Sequence, residues 1–129
     1  MVEIGTIGEG EIVVDNTNTA KALCSGALPV YATPNMILLI EKTAFDSMAP
    51  QLADGESSVG TYLDIKHVSA SPVGMVVHCR TEVIEVDRAR VRFSVKVTDS
   101  KGDVGTGIHE RFIINCDRFM ERAQSKLSD

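Results

Sequence analysis

No basic cluster appears in this sequence: 13 lysines and arginines are outweighed by 18 aspartates and glutamates, for a net charge of −5. General nucleic-acid binding, which wants a basic face, is thereby disfavoured. No apolar run approaches the roughly 18 residues that a membrane span needs. The opening residues, Met1-Val2-Glu3-Ile4-Gly5, lack the basic start and apolar centre of a secretion signal. A cytoplasmic location with no membrane partner is the expectation. The three cysteines, Cys24, Cys79 and Cys116, are odd in number and far apart, with neither zinc-finger nor redox spacing. They read as reduced and structural. Internal repeats and low-complexity tracts are absent too. At 129 residues the chain suits one domain, residues 1–129, large enough to bury a core without metals or cross-links.

What is present is one substantial helix, read over Thr33 to Met48. Thr33 is placed to cap the first turn and Pro34 suits the first helical position. Met36 to Ile40 are apolar in succession, so this part of the helix is expected to be enclosed on most sides. Glu41 follows directly. Either it turns outward beside Lys42, or it is held in a poorly solvated place, where an ionised carboxylate needs a partner or a raised pKa.

The remaining chain reads as sheet. Ile12-Val13-Val14 suit a first strand within Glu9 to Asp15. Asn16 to Pro29 is rich in small and polar residues and reads as a loop with one helical turn, long enough to cover something. After turn residues at Asp54-Gly55, the positions Val59, Thr61, Leu63, Ile65 and His67 alternate with polar ones. That period places His67 on the apolar face and Gly60 on the opposite one. A lone histidine on such a face is commonly a satisfied core residue, and a glycine there marks a bulge or a close approach to the backbone. Met75 to Val86 and Val91 to Thr98 read as a hairpin, Val104 to Asn115 as the last strand, and Cys116 to Lys126 as a short terminal helix. Consecutive strands with short turns and one long apolar helix imply an α+β fold, an antiparallel sheet wrapped around a central helix.

Several motifs lead nowhere. Gly5 to Gly10 and Gly102 to Gly107 are glycine-rich, but neither lies in a βαβ unit or carries a phosphate-binding lysine. His67, His78 and His109 match no common metal spacing, so no metal is expected. No serine lies in a nucleophile-elbow setting, and Cys79 is mid-strand with no base nearby in sequence.

Four stretches together resemble the hotdog-fold acyl-CoA thioesterases of the fluoroacetyl-CoA thioesterase type. They are Ala32-Thr33 with Met36 to Glu41, the segment from Ala49 through Ser58-Val59-Gly60-Thr61, His67 within His67-Val68-Ser69-Ala70, and Gly107-Ile108-His109-Glu110-Arg111. The resemblance implies a hotdog fold and hydrolysis of a small acyl-CoA to the free acid and coenzyme A. By the same resemblance Thr33, Glu41 and His67 form the catalytic set, with Glu41 as general base or nucleophile, Thr33 orienting it or the attacking water, and His67 assisting proton transfer. The Gly60 N–H is the implied oxyanion donor. Arg111 either binds the acyl end or holds the site closed, against the plainer reading of a surface pair with Glu110, and His109 reads as structural. Coenzyme A belongs to the substrate and no separate cofactor is implied. A homodimer, going on to a tetramer in some hotdog proteins, is implied as well. The family's phenylalanine-bearing lid has no counterpart in Leu23 to Tyr31, which speaks against fluoroacetyl-CoA itself. A non-catalytic acyl-CoA-binding protein is the alternative, and a hotdog dehydratase would place its acid and base elsewhere.

Overall fold

A computed structural model describes residues 1–128. Five strands, β1 (Ile7–Val13), β2 (Glu56–His67), β3 (Val76–Asp87), β4 (Arg90–Asp99) and β5 (Gly102–Asn115), form one antiparallel sheet in the order β1-β3-β4-β5-β2. Helix α1 (Thr33–Met48) lies on one face of this sheet, and α2 (Cys116–Gln124), followed by a 3-10 turn at Ser125–Leu127, comes after β5. This is the α+β arrangement that the periodicities predict.

The core follows from two periods. Met36, Ile40, Ala44 and Met48 recur at every fourth position of α1 and are fully buried, with Leu39 and Thr43 beside them. Val77, Cys79, Thr81 and Val83 alternate along β3, and Val91, Phe93, Val95 and Val97 along β4, all buried toward the helix. Each such aliphatic side chain contributes at most about 1.5–3 kcal/mol on leaving water.

Four expectations need correction. The helix bounds agree with the reading, but the N-cap is Ala32 and no side chain caps the first turn, so Thr33 is the first helical residue and Pro34 follows it. Met36, Leu39 and Ile40 are enclosed, whereas Leu38 is 60% exposed; an apolar run longer than the helix's buried stripe must put one residue outside. The first strand begins earlier than read, at Ile7, and includes Gly8 and Gly10. These glycines are there because α1 presses on β1. A methyl group on Gly8 would lie 2.8 Å from the Thr43 carbonyl oxygen, and one on Gly10 would lie 2.7 Å from Thr43 Oγ1.

The fourth correction positions the site. The register of β2 against β5 shifts between Gly60 and Tyr62, so Thr61 is an extra, bulged residue. The bulge resets the period. Gly60 pairs with Arg111, Leu63 with His109 and His67 with Gly105, which puts Gly60 and His67 on the same, helix-facing side. An unbroken alternation would have separated them. The loop before α1 contains one helical turn, closed by Leu23 N–H donating to the Thr19 carbonyl at 3.0 Å, as read. It is held by Asn18, whose amide donates to the Val13 carbonyl at 3.0 Å and whose own carbonyl accepts from Ala32 N–H at 3.0 Å.

Candidate active site

The predicted residues assemble in two groups along α1. At its start the Thr33 hydroxyl lies 2.7 Å from Nδ1 of His67, delivered by the last residue of β2. Either group serves as donor, according to the imidazole tautomer. The other ring nitrogen, Nε2, is buried without a partner in the chain, and the ring meets Tyr31 edge-on at 6.5 Å between centroids. Burial pushes the His67 pKa down, partly offset by the backbone carbonyl of Ser69 near the ring. A neutral imidazole with one anchored nitrogen and one free nitrogen suits proton transfer to a bound molecule. Both residues line a cleft of about 420 Å³ with Ala20, Ser25, Tyr31 and Ser69.

The second group lies two helical turns on. Glu41 is partly exposed, and its Oε2 lies 3.6 Å from Nη1 of Arg111. Gly60 makes this placement possible, because a methyl group there would collide with Glu41 Oε2 and would stand 3.4 Å from Arg111 Nη1. The Arg111 guanidinium is buried and held at several points. Its Nε donates to Ser58 Oγ at 2.8 Å and its Nη2 to the Ser58 carbonyl at 3.0 Å, and its carbon lies 5.6 Å from the centre of the Phe45 ring. Burial lowers its pKa and the Glu41 charge opposes that shift. Adjacent residues of a strand face opposite ways, so Glu110 points to the outer face, where it accepts from Arg90 at 2.9 Å and from Arg92. The surface pairing of Arg111 with Glu110 is therefore overturned. Leu38, Glu41, Lys42, Phe45 and Arg111 outline a shallow pocket of about 310 Å³.

The two groups do not touch. Eight residues of helix rise about 12 Å, so Thr33 does not reach Glu41 in this chain, and its hydroxyl goes to His67 instead. A larger cavity, about 710 Å³, lies beyond the other end of α1 between the N-terminal residues and the β3–β4 turn, and contains none of these side chains. The Glu41–Arg111 ion pair and the unpartnered His67 Nε2 and Tyr31 Oη belong instead to the two smaller clefts.

Two contributors escaped the sequence reading. Ser58 was visible only as one residue of a family-like stretch, and its grip on Arg111 spans 53 positions. His109 is fully buried, stacked on Phe93 at 6.0 Å, and points at Arg111 rather than merely filling the core. Among the described residues no three histidine, cysteine, aspartate or glutamate side chains gather as metal ligands.

Comparison with known proteins gives a consistent result. Residues 14–117 match the family described as fluoroacetyl-CoA-specific thioesterase. The fluoroacetyl-CoA thioesterase of Streptantibioticus cattleyicolor is 34% identical over 97 residues, 75% of this chain and 70% of that protein. A solved structure of the fluoroacetyl-CoA thioesterase superposes with a TM-score of 0.91 at 29% identity, covering 98% of both chains. A hot-dog-like protein from Thermanaerovibrio acidaminovorans superposes with a TM-score of 0.91 over 98% of this chain and 93% of its own, and at 24% identity it attests the fold alone.

Proposed function

The chain belongs to the fluoroacetyl-CoA-specific thioesterase family, and from that membership we propose how it hydrolyses a small acyl-CoA to the free acid and coenzyme A. The observation that carries the site assignment is the Glu41 carboxylate, partly open to solvent, lodged over the bare Gly60 backbone and aligned by Arg111. Glu41 acts as general base on water or as the attacking carboxylate at the thioester carbonyl. The Gly60 N–H stabilises the oxyanion. His67, positioned by Thr33, carries the proton to the departing thiolate. Specificity for fluoroacetyl-CoA is not carried over from the family, because Leu23 to Tyr31 contain no phenylalanine to form a lid.

A second copy of the chain completes this reading. Strand β2 ends the sheet and runs for 12 residues with its outer edge unpaired among the described residues. A long bare edge invites strand pairing. Beside it Leu38, Phe45, Tyr62 and Leu63 are exposed. Pairing β2 with its copy covers these side chains and brings together site groups that one chain holds about 12 Å apart. Sedimentation of wild type should give a dimer, and a single-chain mass at micromolar concentration would refute the pairing.

The functional test is thiol release from a panel of acyl-CoAs, from acetyl through short branched to phenylacetyl, with wild type and Glu41→Ala side by side. Wild type should turn over at least one member, and the variant should lose at least roughly 10²-fold in kcat while keeping its fold. Near-normal turnover by the variant would remove Glu41 from the mechanism. Binding without hydrolysis across the panel would make the protein an acyl-CoA binder.

A further inference from the structure

We infer that His109 is a positioning residue, which holds the Arg111 guanidinium so that one of its N–H groups faces the Glu41 carboxylate; this rests on the assignment of Glu41 above. The tautomer follows from the partners. His109 Nδ1 lies 2.9 Å from the Tyr62 carbonyl oxygen, which only accepts, so Nδ1 carries a proton. Nε2 lies 3.4 Å from Arg111 Nη1, which only donates, so Nε2 presents its lone pair. An imidazolium would turn an N–H against an N–H. The neutral ring with its proton on Nδ1 is therefore the form that both neighbours require, and burial lowers the pKa in agreement.

The guanidinium's donors can now be accounted for. Nε and Nη2 are tied to Ser58 at 2.8 and 3.0 Å, and Nη1 is shared between His109 at 3.4 Å and Glu41 at 3.6 Å. Ser58 fixes the plane of the group from one side. His109 occupies one Nη1 hydrogen and leaves the other directed at Glu41. The same imidazole reaches β2 next to the bulged Thr61, so it also fixes the strand segment that sets Gly60 under the carboxylate. A core residue needed only for volume would do as well with an apolar side chain on Phe93. The chain instead buries a titratable ring whose two nitrogens match an acceptor and a donor. The charged groups around it are Arg111 and Glu41 on the helix side and Glu110 across the sheet.

Two measurements test this. Long-range ¹H–¹⁵N NMR on the wild-type protein at pH 7.5 should show His109 protonated at Nδ1 and bare at Nε2, with the Nε2 resonance moved by Arg111→Lys; the opposite tautomer or an imidazolium would overturn the inference whether or not the protein turns over acyl-CoA. In a kinetic cycle, His109→Leu should lower kcat by roughly 10–100-fold, the range for losing one hydrogen bond to a charged group. KM should stay within about threefold, and His109→Gln, which keeps an acceptor near Arg111, should restore most of the rate. In an Arg111→Ala background His109→Leu should cost nothing further. Full, additive loss in that background would show that His109 acts independently of Arg111. If Glu41→Ala retains normal turnover while the NMR result holds, the catalytic assignment fails and the arrangement stands.

Discussion

The Thr33 hydroxyl and His67 Nδ1 lie 2.7 Å apart, joining the first residue of α1 to the last residue of β2. Because Ala32 is the N-cap, this hydroxyl does nothing for the helix. Catalysis and stability should therefore separate. Thr33→Val, which keeps the branched shape, should lower kcat by roughly 10-fold or more through a misoriented imidazole, with unfolding free energy changed by less than about 0.5 kcal/mol. Thr33→Ser should keep most of the activity. A loss near 1 kcal/mol in the valine variant, as for a removed helix cap, would show that the side chain serves the helix after all.

Gly60→Ala adds one methyl group where the Glu41 carboxylate sits, in contact too close to accommodate it. The carboxylate is the movable party, since it ends a flexible side chain that is partly exposed. The fold should survive and the geometry should not. We expect kcat to fall by at least about 10²-fold, as for loss of the base itself, with a near-native circular dichroism spectrum. Retention of activity would mean that the reactive carboxylate lies elsewhere than over Gly60.

Local features of the fold were readable because they depend on near neighbours in sequence. Thr33-Pro34 and the apolar run from Met36 to Ile40 place α1, and the alternation of Val91, Phe93, Val95 and Val97 places β4. The bulge at Thr61 left no comparable mark. Gly60 hints at irregularity, but nothing in composition says which residue is inserted, and one inserted residue exchanges the two faces of the strand. The partner of Glu41 was equally hidden, since Arg111 is 70 positions away and its visible neighbour was Glu110. Family-like stretches put these residues on one short list, while their grouping into two pairs follows from the helical rise and the register.

Acid should destabilise the protein earlier than its carboxylates require. Burial lowers the pKa of both His67 and His109. The unfolded chain takes up protons on them near pH 6.5, its ordinary value being about that, while the folded chain resists until a lower pH. Below about pH 6.5 the unfolded state then binds more protons, so stability falls as the pH drops toward the folded-state values and is unaffected above that window. Asp15 and Asp99 are held below the usual carboxylate range by hydrogen bonds, to Thr17 and to Ser71 respectively, and their contribution is lost only nearer pH 4 and below. Thermal unfolding between pH 7.5 and 5 should show the decline, and His109→Gln should flatten it. A melting temperature that rises on acidification across this interval would contradict the neutral, buried state of both rings.

The cysteines should differ sharply toward alkylation. Cys79 is fully buried between the sheet and α1, and burial pushes its thiol up to about 11, with the nearby Thr43 hydroxyl opposing the shift. Cys24 is exposed in the loop before α1, and Cys116 is half-buried at the start of α2. The thiolate is the reacting species, so at pH 8 access and ionisation both act against Cys79. Iodoacetamide followed by peptide mass mapping should modify Cys24 first and Cys79 only with denaturant. Any native labelling of Cys79 requires α1 to lift from β1 and β3, since those elements cover it, and its rate then measures how often that layer opens. The same opening would separate Glu41 from Gly60. Rapid labelling of Cys79 in the folded protein would therefore be incompatible with a carboxylate held in register for catalysis.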